Sequence, residues 1–151
     1  MYPAVKFLGA IGGIAAVVEI INHFTETDHD DVVEDAYEAV EKAVSGDASV
    51  YVAHVREDEP SPKGVLDHTN KVPDILVHGG PGPNRIIEVE TGDSLENRAV
   101  DAIAQLEAFQ SPGYQRILVV PSGATEAGEE LVADLDGTIR VATPSELGNL
   151  F

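Results

Sequence analysis

The stretch that decides the fold runs from residue 73 to residue 92: Pro73-Asp74-Ile75-Leu76-Val77-His78-Gly79-Gly80-Pro81-Gly82-Pro83-Asn84-Arg85-Ile86-Ile87-Glu88-Val89-Glu90-Thr91-Gly92. Two aliphatic runs, at positions 74–78 and 85–91, flank a Gly/Pro/Asn segment that can continue neither a helix nor a strand. A short loop between two strands predicts antiparallel neighbours. Side chains two apart on a strand share a face, so Glu88 and Glu90 project together while Ile87 and Val89 take the opposite face. Asp74 opens the neighbouring strand, so the hairpin gathers three carboxylates at one end of the sheet. Three converging carboxylates cannot all stay ionised without a counter-ion. Oxygen donors of this kind suit a hard divalent cation, Mg2+ or Mn2+. Such a cation activates water and neutralises the charge of a phosphoryl transition state.

Downstream, Asp93 and Glu96 have the spacing of a capping box and predict a helix over 94–110, with a core stripe of Leu95, Ala99, Ala102, Leu106 and Phe109. At 100° per residue Arg98, Gln105 and Phe109 share the border of that stripe. Arg98 then reads either as a phosphate ligand or as an exposed side chain paired with Asp101 or Glu96, and Gln105 as a site residue or a cap on the stripe. The unbroken run at 117–120 has the look of a buried parallel strand. A helix over 125–135 and a strand over 139–142 follow. Thr143-Pro144-Ser145-Glu146 combines a capping box with proline at the first helical position and opens a short last helix. Upstream, Asp31 and Glu34 predict a helix start, Val32, Val33, Ala36, Tyr37, Val40, Ala43 and Val44 recur at helical spacing, and Gly46 is the expected stop. A valine-rich strand is expected over 49–56 and a long loop over 57–71. The order is helix, three strands, helix, strand, helix, strand, helix. It predicts an α/β domain over residues 28–151, a mixed sheet flanked by helices.

Pro73-Asp74 followed by Glu88-x-Glu90 resembles the PD-(D/E)XK motif of restriction enzymes, junction resolvases and RecB-type exonucleases. The string Glu88-Val89-Glu90-Thr91-Gly92 is similar to the DYKTG stretch of the RecB-type branch, and Gln105-Leu106-Glu107-Ala108-Phe109 is similar to its QxxxY motif, with Phe for Tyr. The resemblance covers roughly residues 31–121, including the order of elements. It implies a restriction-endonuclease-like fold and Mg2+- or Mn2+-dependent hydrolysis of phosphodiesters in nucleic acid, DNA first. Asp74 and Glu88 would be metal ligands, Glu90 and Gln105 further catalytic residues, and Arg98 a substrate-phosphate ligand. Glu90 stands where most members carry lysine, which orients or activates the attacking water. Some restriction enzymes of the superfamily carry glutamate there, where it can serve as general base. The departure leaves a second expectation open: a catalytically inactive scaffold serving as an assembly or regulatory module.

Composition sets the remaining bounds. The 151 residues suit one core, and 43% apolar content is ordinary for a globular chain. The absence of cysteine excludes disulfides and thiolate zinc sites. Nine basic and 27 acidic side chains give a net charge of −18, with lysine only at Lys6, Lys42, Lys63 and Lys71. That pattern resembles the surface of a salt-in halophile's protein, as in halophilic archaea, since at ~1 M salt the Debye length is about 3 Å and dense like charge coexists cheaply. No small-residue cleavage site follows the apolar N-terminus, so a cytoplasmic chain is expected. Residues 1–27 read as an apolar helix and linker. The uncharged run over 7–18 is twelve residues, short of the ~20 needed to span a bilayer. Gly9 and Gly13 permit close helix packing, so a homodimer-forming or buried helix is expected, with membrane contact as the alternative. His23, His29, His54, His68 and His78 show no metal-binding spacing. Gly79 to Gly82 lacks the Lys-Ser/Thr and helix of a P-loop, and Ser122 lacks the Gly-x-Ser-x-Gly of a hydrolase elbow. Glu34, Glu38 and Glu41 lie opposite the core stripe of their helix and are expected to be solvated.

Overall fold

The computed structural model describes residues 28–151. The apolar N-terminal helix expected over residues 1–27, with its dimer and membrane roles, lies outside the described residues. The chain folds as a mixed α/β structure whose five-stranded sheet has the order β1-β2-β3-β4-β5. The elements are α1 (His29–Ala43), β1 (Ala48–Val52), β2 (Ile75–Gly79), β3 (Asn84–Val89), α2 (Gly92–Asn97), α3 (Ala99–Ala108), β4 (Tyr114–Val119), α4 (Thr125–Val132), β5 (Ile139–Ala142) and α5 (Pro144–Leu147), closed by a 3-10 turn at Gly148–Leu150.

The hairpin forms as the sequence requires. β2 pairs antiparallel with both β1 and β3, and Ile75 faces Ile87 across the β2–β3 ladder. The turn between β2 and β3 needs left-handed backbone at Gly79, Gly80 and Gly82, which only glycine adopts without cost. Asn84 closes it, its Oδ1 accepting from the Gly79 N–H at 2.9 Å. β3, β4 and β5 run parallel, joined by α2–α3 and by α4. Both faces of the sheet are therefore covered, as parallel strands require.

Alternation decides which side chain meets which layer. Ile75, Val77, Ile87, Val89, Ile117 and Val119 meet Val33, Tyr37 and Val40 of α1 and Leu147 of α5. On the opposite face Leu76 and Ile86 pack with Leu66 and Phe109, while Leu118 and Val120 pack with Leu95. Glu88 belongs to this second face by its register.

Several local expectations are corrected. α1 begins at His29, capped by the Asp28 side chain, which accepts from Asp30 N. The expected Asp31–Glu34 box gives way because the helix extends a turn further upstream. It ends at Ala43 with Val44 as C-cap, before Gly46 is reached. β1 stops at Val52 rather than running to Arg56, since His54 and Arg56 take left-handed backbone that a strand cannot contain. The helix expected over 94–110 is two helices broken at Arg98 (φ −131°, ψ 31°). Its cap is Thr91 with Ser94, a reciprocal box that starts the helix two residues earlier than expected. The last helix matches its prediction: Thr143 and Glu146 form the box and Pro144 opens the turn. Among the described residues no helix is long and apolar enough to cross a membrane.

Candidate functional site

The three acids of the deciding stretch line one cavity of about 260 Å³ at the end of β2 and β3, together with Gln105, Arg98, His29 and His54. Larger hollows exist, about 580 Å³ between α1 and α5 and about 860 Å³ beside Tyr114. Neither is lined by a buried carboxylate, so chemistry and not size singles out the smaller one.

Asp74 is 3% exposed and sits just before β2, where the sheet ends. Its Oδ2 accepts from the Val89 N–H at 2.8 Å and lies 3.4 Å from His29 Nε2. Its Oδ1 lies 3.4 Å from His54 Nε2. Burial alone would raise the Asp74 pKa, but the two imidazoles and the Val89 N–H hold it below the usual carboxylate value. In return, the hydrogen bond to Asp74 lifts His29 to about 9 and raises His54. The two rings meet edge-on, 5.6 Å between centroids.

Glu88 is 4% exposed and points into the α3 side of the sheet. Its Oε1 accepts from Gln105 Nε2 at 2.7 Å. Its Oε2 is buried and has no hydrogen-bond partner. Burial first, then the charges of Asp74 and Glu90, push the Glu88 pKa well above the carboxylate range. Glu90, half-buried one residue beyond β3, is raised mainly by burial. The Thr91–Ser94 box fixes the chain immediately after it. Arg98 is exposed at the rim, placed there by the break between α2 and α3. No ion pair joins Arg98 to Asp101 or Glu96 among the described residues, and all but Glu96 line the cavity with it.

All five sequence-predicted site residues, Asp74, Glu88, Glu90, Arg98 and Gln105, therefore reach one cavity. Glu34 and Glu38 sit outside it and pair with Arg56, while Glu41 accepts from the Tyr37 hydroxyl at 2.7 Å. His29 and His54 were missed as site residues. Neither has a spacing signal: one comes from the first turn of α1, the other from a left-handed turn after β1, and they meet only in three dimensions.

Among the described residues no group of three or more His, Asp or Glu side chains is placed to hold a metal ion. The donor chemistry nonetheless fits a hard cation. A buried carboxylate oxygen without a partner, Glu88 Oε2, is costly unless it is protonated or bound to a cation. Asp74, Glu88 and Glu90 are oxygen donors of the right type, with His29 and His54 as nitrogen donors at the same edge. No family model, curated protein or solved structure matches this chain.

Proposed function

We propose that the chain is a divalent-metal-dependent nuclease of restriction-endonuclease-like fold, hydrolysing phosphodiester bonds in nucleic acid, DNA first. The observation that carries the reading is the shared cavity of Asp74, Glu88, Glu90 and Gln105, with Glu88 Oε2 buried and unpartnered. The order α1-β1-β2-β3-helix-β4, with antiparallel, antiparallel and parallel pairing, supports the fold assignment.

Asp74 and Glu88 would hold Mg2+ or Mn2+, which supplies charge neutralisation and lowers the cost of deprotonating water. Gln105 donates to Glu88 Oε1, fixing that carboxylate. Glu90 carries a pKa raised by burial, which moves it toward the range of a general base for the attacking water. Arg98, exposed at the rim, is placed to hold a non-reacting phosphate. The attacking water forms its bond to phosphorus as the P–O bond to the leaving oxygen breaks; the water's proton passes to Glu90 and the leaving oxygen takes a proton from solvent.

The test is incubation of plasmid and single-stranded DNA in high KCl with Mg2+ or Mn2+, against an Asp74→Ala control. Cleavage by the wild type and at least a hundredfold less by the variant (~3 kcal/mol of transition-state stabilisation) is expected. Equal cleavage by both removes the reading. A second reading, an inactive scaffold of the same fold, is favoured by one observation: a glutamate occupies position 90, so among the described residues lining the cavity Arg98 is the fixed cation. Metal binding without cleavage would select it.

A further inference from the structure

Four residues after β1 adopt an unusual path. His54 (φ 72°) and Arg56 (φ 56°) both take left-handed backbone, which L-residues with a long side chain disfavour. The turn is tied at both ends. At the start, Ala53 N donates to the Asp74 carbonyl at 2.8 Å. At the end, Arg56 Nε donates to Glu34 Oε1 at 2.5 Å, its Nη2 lies 3.5 Å from Glu38, and its guanidinium stacks 5.3 Å over the Tyr37 ring. All three partners belong to α1. Between these anchors the His54 ring projects over the cavity, with Nε2 3.4 Å from Asp74 Oδ1.

We infer that the turn from Ala53 to Arg56 holds His54 as a nitrogen donor to the cation at Asp74, and that Arg56 is the positioning residue that fixes it. This rests on the metal-dependent reading above and specifies the cation's preference. Three carboxylates alone suit Mg2+; a nitrogen donor shifts a site toward a transition cation, because imidazole is a poor partner for Mg2+ and a good one for later first-row ions. The unpartnered Glu88 Oε2 in the same cavity shows that the site has an oxygen donor free to complete such a set. Left-handed backbone held in place by its neighbours is found where a side chain must be aimed. Here the ion pairs of Arg56 to α1 do the holding.

The experiment measures Co2+ and Mg2+ affinities of the full chain by calorimetry in high KCl, with the visible Co2+ spectrum as a report of nitrogen ligation. His54→Gly is the main variant, because glycine takes the left-handed backbone without strain and so keeps the turn folded. Co2+ affinity should fall by about tenfold or more, in the range seen when a metal's supporting groups are lost, with the Co2+ band altered and Mg2+ affinity changed by less than about twofold. Arg56→Ala should reproduce the Co2+ loss, Arg56→Lys should recover part of it, and the double variant should be no weaker than His54→Gly alone. Unchanged Co2+ affinity in His54→Gly overturns the inference while leaving the nuclease reading intact. Additive losses in the double variant overturn the positioning role of Arg56. Failure of the wild type to bind either cation sinks both this inference and the reading beneath it.

Discussion

At the scale of single residues, the site is a problem in where charge can be put. Asp74 and Glu88 are both buried, yet their environments push them in opposite directions. Asp74 is surrounded by donors and stays ionised; Glu88 is driven toward its neutral form by burial first and then by the charges of Asp74 and Glu90. That split is what gives a site both a fixed anion and a proton reservoir. His29 supplies a pH test. Its pKa is raised from the usual 6.5 to about 9 by Asp74, so the contact stabilises the folded state fully below about pH 6.5 and the benefit is lost as pH rises through about 9. The ring is one-third exposed, so after solvent screening a contribution of about 1–2 kcal/mol is expected rather than the full shift. Urea unfolding of wild type and His29→Ala in chelator-containing buffer should show that gap near pH 6 and its disappearance near pH 10. A gap independent of pH would mean that His29 contributes packing and no charge.

At the scale of elements, the junction between β3 and α2 places the site. Thr91 and Ser94 cap α2 reciprocally and are both buried, which sets the direction in which the chain leaves Glu90 and returns Gln105 over Glu88. Thr91→Ala should cost about 1 kcal/mol of unfolding free energy. Asp93→Ala, which touches only the exposed Asn97 amide, should change stability by less than about 0.5 kcal/mol; denaturant melts compare the two directly. The reverse ranking would restore the cap that the Asp93–Glu96 spacing suggests. This junction also shows what the letters do and do not carry. The hairpin and its three acids were legible because strand alternation has a fixed period and a Gly/Pro turn cannot be misread. Gln105 was legible because it lies two turns along a regular helical pattern. The break at Arg98 was not, since nothing in Asn97-Arg98-Ala99 forbids helix; the shifted cap took the choice. His54 was beyond reach for a related reason: a histidine on left-handed backbone leaves no local mark, and its partner in sequence is 20 residues away, at Asp74.

For the whole molecule, the dominant fact is a net charge of −18 on 151 residues. Self-repulsion on that scale opposes the compact state and falls as salt shortens the Debye length from ~10 Å at 0.1 M to ~3 Å at 1 M. The melting temperature should rise by on the order of 10 °C between 0.2 and 2 M KCl, since a few kcal/mol shifts a domain of this size by that much. A flat curve would remove the halophilic reading. Under the proposed nuclease reading, the same excess of acid would leave nucleic acid to be met through Arg98 and a bound cation, with little help from ordinary counter-ion release. Everything therefore turns on whether the acids at the end of β2 and β3 take a divalent ion. The most direct measurement is calorimetric titration of Mn2+ into wild type and Asp74→Ala at about pH 7.5, repeated in buffers of different ionisation enthalpy. One ion should bind the wild type with release of protons, because His29, raised to about 9 by its contact with Asp74, holds a proton that a cation at Asp74 must displace, and the variant should lose that binding. No binding by the wild type, or the same binding by Asp74→Ala, would contradict the account at its centre.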